Sequence, residues 1–310
     1  MQGKKKQAVI HVGMQKTGTS SVQVMLASSA KALRSNGYFY PDLPQKEGRV
    51  WNSPFRHNIV AATYADFPST FEKFSADQEE EFWQMLRDDD AIPILSAEEF
   101  SRQRDFSTIA KRLQGFDVSI VVYLRRQDKF AEALYNQRNK LLVHFGDPRI
   151  FNPETTTEQG LFNFLKDENY IPLLNYKRLL STIEEQIKPV RIIARDFDRE
   201  KLKNGDVCHD ILAALDIPPE GFSFPQTDAN ESISNILIQT LINAAETKGL
   251  EAARLEMTAL SEKLNKEGLA TGTYQLFSGG TRSHFLSQYK EINMYIREKY
   301  GVSFTGYDCS

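Results

Sequence analysis

The sequence predicts an α/β fold, a central parallel sheet flanked by helices, followed by a helical C-terminal portion. Three observations carry this. Short, nearly continuous apolar runs recur at residues 8–12, 92–96, 118–124 and 190–194, the pattern of strands buried on both faces. Segments with helical spacing of apolar residues alternate with them, which argues for crossover helices and hence a parallel sheet. Beyond about residue 217 the strand-like runs stop and helices with polar loops take over.

Taken in order, the first strand runs into a glycine-bounded loop and then a helix over 19–35, in which Val22, Met25, Leu26, Ala30 and Leu33 repeat at helical spacing. Residues 37–45 break that periodicity at Pro41 and Pro44, predicting a short extended stretch entering a loop. Helices follow over 77–87 and 107–113, on either side of the second strand. The third strand leads into a helix over 129–143, and a helix over 174–187 precedes the fourth strand. Helices over 232–246, 250–266 and 282–300 complete the chain. In the last of these, Phe285, Tyr289, Ile292 and Ile296 form one stripe that suits a terminal helix docked on the body.

The loop after the first strand carries the chemistry. A nucleotide-triphosphate P-loop reads GxxxxGK[ST], with its lysine after the second glycine and the next hydroxyl on Mg²⁺. Here Gly13 and Gly18 keep that spacing, Thr19 stands where the lysine should be, and the lysine lies inside the loop as Lys16. The fold is P-loop-like, and its free backbone N–H groups should meet an anion at the helix N-terminus. Thr17, Thr19, Ser20 and Ser21 add hydroxyls, and Lys16 adds a cation ahead of the helix.

The third strand sharpens this, because 118–124 ends in Arg125 and Arg126 rather than in the aspartate that helps to hold Mg²⁺ in kinases and NTPases. Cations at the carboxyl end of a strand suit a second phosphate. The run Gln15-Lys16-Thr17-Gly18-Thr19-Ser20 resembles the 5′-phosphosulfate-binding loop of the sulfotransferase family, P-K-[ST]-G-[ST]-[ST], in all but the leading proline. The resemblance implies 3′-phosphoadenosine 5′-phosphosulfate (PAPS) as co-substrate and no metal. Lys16, Thr17, Gly18, Thr19, Ser20 and Ser21 would then hold the 5′-phosphate, with Lys16 also stabilising the leaving oxygen. It also implies Arg125 as the arginine of the 3′-phosphate motif. That motif places a serine eight residues on, where this chain has Ala133, with Arg126, Gln127 and Asn136 as candidate substitutes. The loop at 274–282, with Gly279, Gly280 and Arg282, is a looser candidate anion contact or a plain helix cap at Ser278 or Thr281.

An acceptor must lose a proton, so a base is needed within reach. The resemblance places one between the two phosphate motifs, where Glu98 follows the second strand in Ser96-Ala-Glu-Glu-Phe100, with Glu99 beside it. His57, in Trp51-Asn-Ser-Pro-Phe-Arg-His-Asn58, is the other catalytic candidate, and His11 reads as a core histidine. Residues 38–40, 51–57 and Tyr135 are candidates to line an acceptor pocket. No Gly-x-Ser-x-Gly elbow supports a hydrolase. An atypical P-loop kinase and a nucleotide-binding pseudoenzyme remain the alternative functions.

Composition bounds the rest. The 310 residues carry a formal charge of −3, which gives no global basic field for nucleic acid. Two cysteines, Cys208 and Cys309, support neither a disulfide scaffold nor a zinc site. No run of about 18 apolar residues suggests a membrane span, so a cytoplasmic protein is expected. One domain over 1–310 is expected, with an α/β core at 7–216 and helical cover at 217–310. The expected acceptor is a glycan, glycolipid or small molecule.

Overall fold

A computed structural model describes residues 5–43, 56–167, 170–225, 232–272 and 274–306. In chain order the elements are β1 (Lys6–Val12), α1 (Thr19–Ser28), α2 (Ala30–Ser35), β2 (Tyr38–Phe39), α3 (Asn58–Thr63), α4 (Ala76–Asp88), β3 (Ile92–Ala97), α5 (Ser107–Arg112) and β4 (Phe116–Leu124). There follow α6 (Gln127–Phe145), α7 (Glu158–Asp167), α8 (Tyr176–Gln186), β5 (Arg191–Asp196) and α9 (Val207–Ala214). The last helices are α10 (Asn235–Lys248), α11 (Leu250–Lys266), α12 (Gly279–Ser287) and α13 (Lys290–Tyr300). The chain divides into two compact units, unit 1 of residues 1–125, 175–227 and 291–310, and unit 2 of residues 126–174 and 228–290.

Unit 1 holds the predicted parallel sheet. Its five strands run in the order β2-β3-β1-β4-β5 and every pairing is parallel. β1 lies between β3 and β4, so the strand order reverses there, and open α/β sheets bind ligands beyond the carboxyl ends of strands at such a switch point. On one face Val9, Ile94, Val121 and Tyr123 pack against Val22, Met25 and Leu26 of α1, Leu33 of α2, and Ile211 and Leu212 of α9. Each buried aliphatic side chain contributes about 1.5–3 kcal/mol, and this seam fixes α1 behind the loop. α13 lies against α8, with Tyr295 Oη 3.4 Å from Ser181 Oγ and Lys299 paired with Glu184.

The helix predicted over 19–35 is two helices. Ser29 leaves the helical region at φ −116°, ψ 30°, and its hydroxyl accepts the backbone N–H of Ser223 at 2.9 Å. The helix predicted over 282–300 is likewise two, α12 and α13, with α12 beginning earlier at Gly279. The extended stretch at Tyr38 is the edge strand β2.

Unit 2 is helical. α6 supplies its spine, and Asn136 clamps residue 233 by donating to the Ile233 carbonyl at 2.8 Å and accepting from its N–H at 3.2 Å. No helix among the described residues is long and apolar enough to cross a membrane.

Candidate functional site

β1 delivers the chain to the loop with two glycines in different roles. Gly13 permits close approach, because a Cβ there would lie 2.5 Å from Thr19 Cγ2 and 3.1 Å from the Ala97 carbonyl oxygen. Gly18 is left-handed at φ 75° and caps α1 from the backbone alone, with no side-chain cap and no acidic residue in the first turn. A serine or aspartate cap would gain only roughly a few tenths of a kcal/mol over glycine, and its Cβ would lie 2.7 Å from Val207 Cγ1 at a φ that side chains rarely adopt. The chain forgoes it and leaves the helix N–H groups open to an anion.

The loop's own hydroxyls correct one expectation. Thr17 and Thr19 are both buried, and both donate to the Met14 carbonyl, at 2.8 and 2.9 Å. Their hydroxyl protons are committed to holding the loop's shape. Ser20 and Ser21 stay half-buried at the helix start. Lys16 adopts φ 60°, a conformation rare for a residue with a Cβ. Arg125, at the carboxyl end of β4, donates from Nη1 to the Lys16 carbonyl at 3.1 Å, and its guanidinium lies 5.8 Å from the Phe197 ring centre. The two cations read from distant stretches of sequence therefore meet in one place.

The next residue, Arg126, belongs to unit 2, where it forms a bidentate pair with the buried Asp128 at 2.7 and 2.8 Å. Arg282 also pairs with Asp128 and reaches Glu132 at 3.2 Å. Burial alone would raise the Asp128 carboxyl, but Arg126 and Arg282 hold it below the ordinary carboxylate range. Ser278 caps α12 by accepting the Thr281 N–H at 3.4 Å. Of the proposed substitutes for the serine absent at Ala133, Arg126 and Asn136 are thus held by internal partners.

β3 brings the candidate base. Asn58 Oδ1 accepts the N–H of Glu98 at 2.9 Å and that of Glu99 at 3.4 Å, which fixes the turn leaving the strand. The two carboxyls then diverge. Glu99 is buried, accepts from Ser69 Oγ at 3.0 Å and pairs with Arg102 at 3.3 Å. Glu98 accepts no side-chain hydrogen bond among the described residues, and it is partly accessible although densely surrounded. Burial pushes its carboxyl above the ordinary range, while the charges of Arg56 and Lys16 oppose that rise and Glu99 adds to it. Arg56, which sequence reasoning did not place in the site, also donates to Ser20 Oγ at a long 3.4 Å. The signal for it was its place beside His57.

His57 departs from its expected catalytic role. It is fully buried, its Nε2–H donates to the Pro41 carbonyl at 2.8 Å, and its Nδ1 accepts the Ser96 N–H at 3.0 Å. With its own N–H bound to the Ser96 carbonyl at 3.1 Å, it clamps the end of β3. Burial lowers its pKa to about 4, against the Pro41 hydrogen bond. No ring lone pair is left to take an acceptor's proton. His11 is also fully buried and bonds Ser96 Oγ at 2.8 Å, but its Nε2 has no hydrogen-bond partner among the described residues, so it is only half satisfied there. Tyr40 packs against His57 with ring centres 4.3 Å apart and planes tilted by 39°. Residues 51–55 of the suggested acceptor segment, like Cys309, lie outside the described residues.

Among the described residues no three His, Cys, Asp or Glu side chains cluster closely enough to hold a metal ion. No family model matches the chain. It is similar to an uncharacterised protein of Archaeoglobus fulgidus, 29% identical over 187 residues, which is 59% of this chain and 46% of that one. The alignment thus spans about half of that relative's length. Among solved structures it is similar to a sulfotransferase from Alicyclobacillus acidocaldarius, with 12% identity, coverage of 97% of this chain and 98% of that one, and a TM-score of 0.42. The α/β assignment rests on the chain's own strand order and pairing.

Proposed function

We propose that this protein transfers the sulfuryl group of PAPS to a hydroxyl or amine of a glycan, glycolipid or small metabolite, releasing 3′-phosphoadenosine 5′-phosphate. The observation that carries the reading is the position of Lys16, held at φ 60° beside an uncapped helix start, with its charge felt by Glu98. The groups present suit the ligand. Backbone N–H groups of residues 18–21 with the hydroxyls of Ser20 and Ser21 bind the 5′-phosphate, and Arg125 offers a guanidinium for the 3′-phosphate.

In this mechanism Lys16 places its ammonium against the oxygen that leaves with the 5′-phosphate and stabilises the charge that develops there. Glu98 accepts the acceptor's proton at its carboxylate as the new bond to sulfur forms. Burial makes Glu98 a stronger base than a solvated carboxylate, and the charges of Arg56 and Lys16 act against that rise. His57 and Asn58 hold the Ser96–Glu98 backbone so that this carboxyl points from a rigid strand end.

The test is mass spectrometry of candidate acceptors incubated with the protein and PAPS. A sulfuryl-sized mass gain is expected with the wild type and its loss with Glu98→Gln. Transfer that continues unchanged in Glu98→Gln removes Glu98 as the base, and transfer to no acceptor removes the reaction.

A further inference from the structure

We propose that unit 2 contains a binding site for a small hydroxyl-rich anion, a uronate or a sugar phosphate, in the cavity beside Arg138. The cavity holds about 400 Å³ and is walled by α6, the turns at 148–156 and α7. That volume falls in the range of small-molecule sites. Its lining combines the polar Arg138, Arg149, Asn152, Glu154 and Asn163 with the aromatic Tyr135 and Phe164.

Arg138 is the anomaly that points to a ligand. Its guanidinium carbon lies 5.9 Å from the ring centres of both Tyr135 and Phe164. Its Nε is buried with no hydrogen-bond partner, and Nη1 reaches only Asn139 Oδ1, at 3.4 Å. No carboxylate pairs with it among the described residues, whereas Arg126, Arg149 and Arg282 of the same unit each have one. The aromatic contacts account for its aliphatic stem and part of its charge. They leave the buried Nε without a hydrogen-bond partner among the described residues and the guanidinium without a paired carboxylate, although the charge reaches Asp147; a buried donor left unbonded is costly unless something else accepts from it.

The surrounding groups define the rest of that ligand. Glu154 Oε2 accepts from Asn163 Nδ2 at 3.1 Å, which fixes a carboxylate able to take further hydroxyl protons. Asn152, also in the lining, spends its Oδ1 on the Glu154 N–H at 2.9 Å, and its amide N–H groups have no hydrogen-bond partner among the described residues. Gly160 is required for this wall, because a Cβ would come within 2.1 Å of the Glu154 carbonyl oxygen and 2.7 Å of Tyr135 Oη. An acid at Arg138 and hydroxyls at Glu154 and Asn152 describe an acidic sugar. A polyanion would meet Glu154 unfavourably. The binding claim is independent of the transfer reaction proposed for unit 1.

Calorimetric titration of the full chain with D-glucuronate, glucose 6-phosphate and glucose tests it. At least one of the two anions should bind roughly tenfold or more tighter than glucose, and the tighter one identifies the source of the anion. Arg138→Met, which keeps the stem on the two rings, should weaken that anion by a similar factor without lowering the melting temperature of the free protein. Arg138→Lys should retain part of the affinity. Equal binding of glucose, no binding of either anion at millimolar concentration, undiminished binding in Arg138→Met, or a lowered melting temperature in that variant would each overturn the proposal.

Discussion

Lys16→Ala should lower turnover by a factor of about 10² to 10³, while the dissociation constant for 3′-phosphoadenosine 5′-phosphate changes far less. In the proposed reaction the lysine acts on the charge that appears on the leaving oxygen, while the helix N–H groups and Arg125 would hold most of the product's ground state. A change in affinity that parallels the loss of rate would make Lys16 a uniform binding group instead. Lys16→Gly supplies the control, since φ 60° suits glycine. That variant should melt no lower than the wild type and still fail to turn over. Rates of product formation with titration calorimetry on the same preparations separate these outcomes.

The second large effect is acid instability centred on β3. Burial lowers both His11 and His57 from 6.5 to about 4. Between those values the unfolded chain binds protons that the folded chain refuses, so stability is full above pH 6.5 and falls as the pH drops toward 4. At 1.36 kcal/mol per pH unit, each histidine accounts for up to about 3 kcal/mol. Both bond Ser96, so the two contributions will not simply add. Urea unfolding at stepped pH should show this slope. By NMR, two of the five histidine C2 protons should stay unshifted until the pH nears 4; titration of all five near 6.5 contradicts the buried clamp.

Much of the unit 1 sheet was legible because a parallel strand buried on both faces writes itself as an unbroken apolar run. β1, β3 and β4 were readable for that reason, β5, a half-buried edge strand, from its short apolar stretch at 192–194, and β2 as an extended stretch before Pro41. Helix ends were less so. The break at Ser29 depends on a contact with Ser223, 194 positions away, which leaves no mark in the local periodicity. α9 carries an Asp206 cap that accepts the His209 N–H at 3.0 Å, yet its eight residues are too few to show a face. It nonetheless borders the site, since a Cβ on Gly18 would lie 2.7 Å from Val207 Cγ1.

Within the site, residue type told more than residue role. Lys16, Arg125 and Glu98 stand out in the sequence because charge at strand ends and beside glycines has few structural uses, and the structure brings Arg125 to the Lys16 carbonyl and the charge of Lys16 to bear on Glu98. Thr17 and Thr19 match a phosphate-loop pattern, but whether a hydroxyl points outward or into the Met14 carbonyl is decided by loop geometry that spacing does not encode. His57 looked like a base because a histidine in a polar loop is chemically able to be one. Its burial and the Ser96 and Pro41 contacts come from chain pairing 39 and 16 residues away.

On the proposed reading the loop around Lys16 binds a 3′,5′-bisphosphorylated nucleotide without a metal. Titration calorimetry of the full chain with 3′-phosphoadenosine 5′-phosphate in EDTA, set beside ATP with Mg²⁺, tests it most directly. Tight binding of the bisphosphate in EDTA, unchanged by added Mg²⁺ and weakened in Arg125→Gln, is the predicted result. At a ligand concentration one hundred times the dissociation constant it should also stabilise the fold by about 2.7 kcal/mol. Preference for ATP with Mg²⁺ over the bisphosphate would contradict the account.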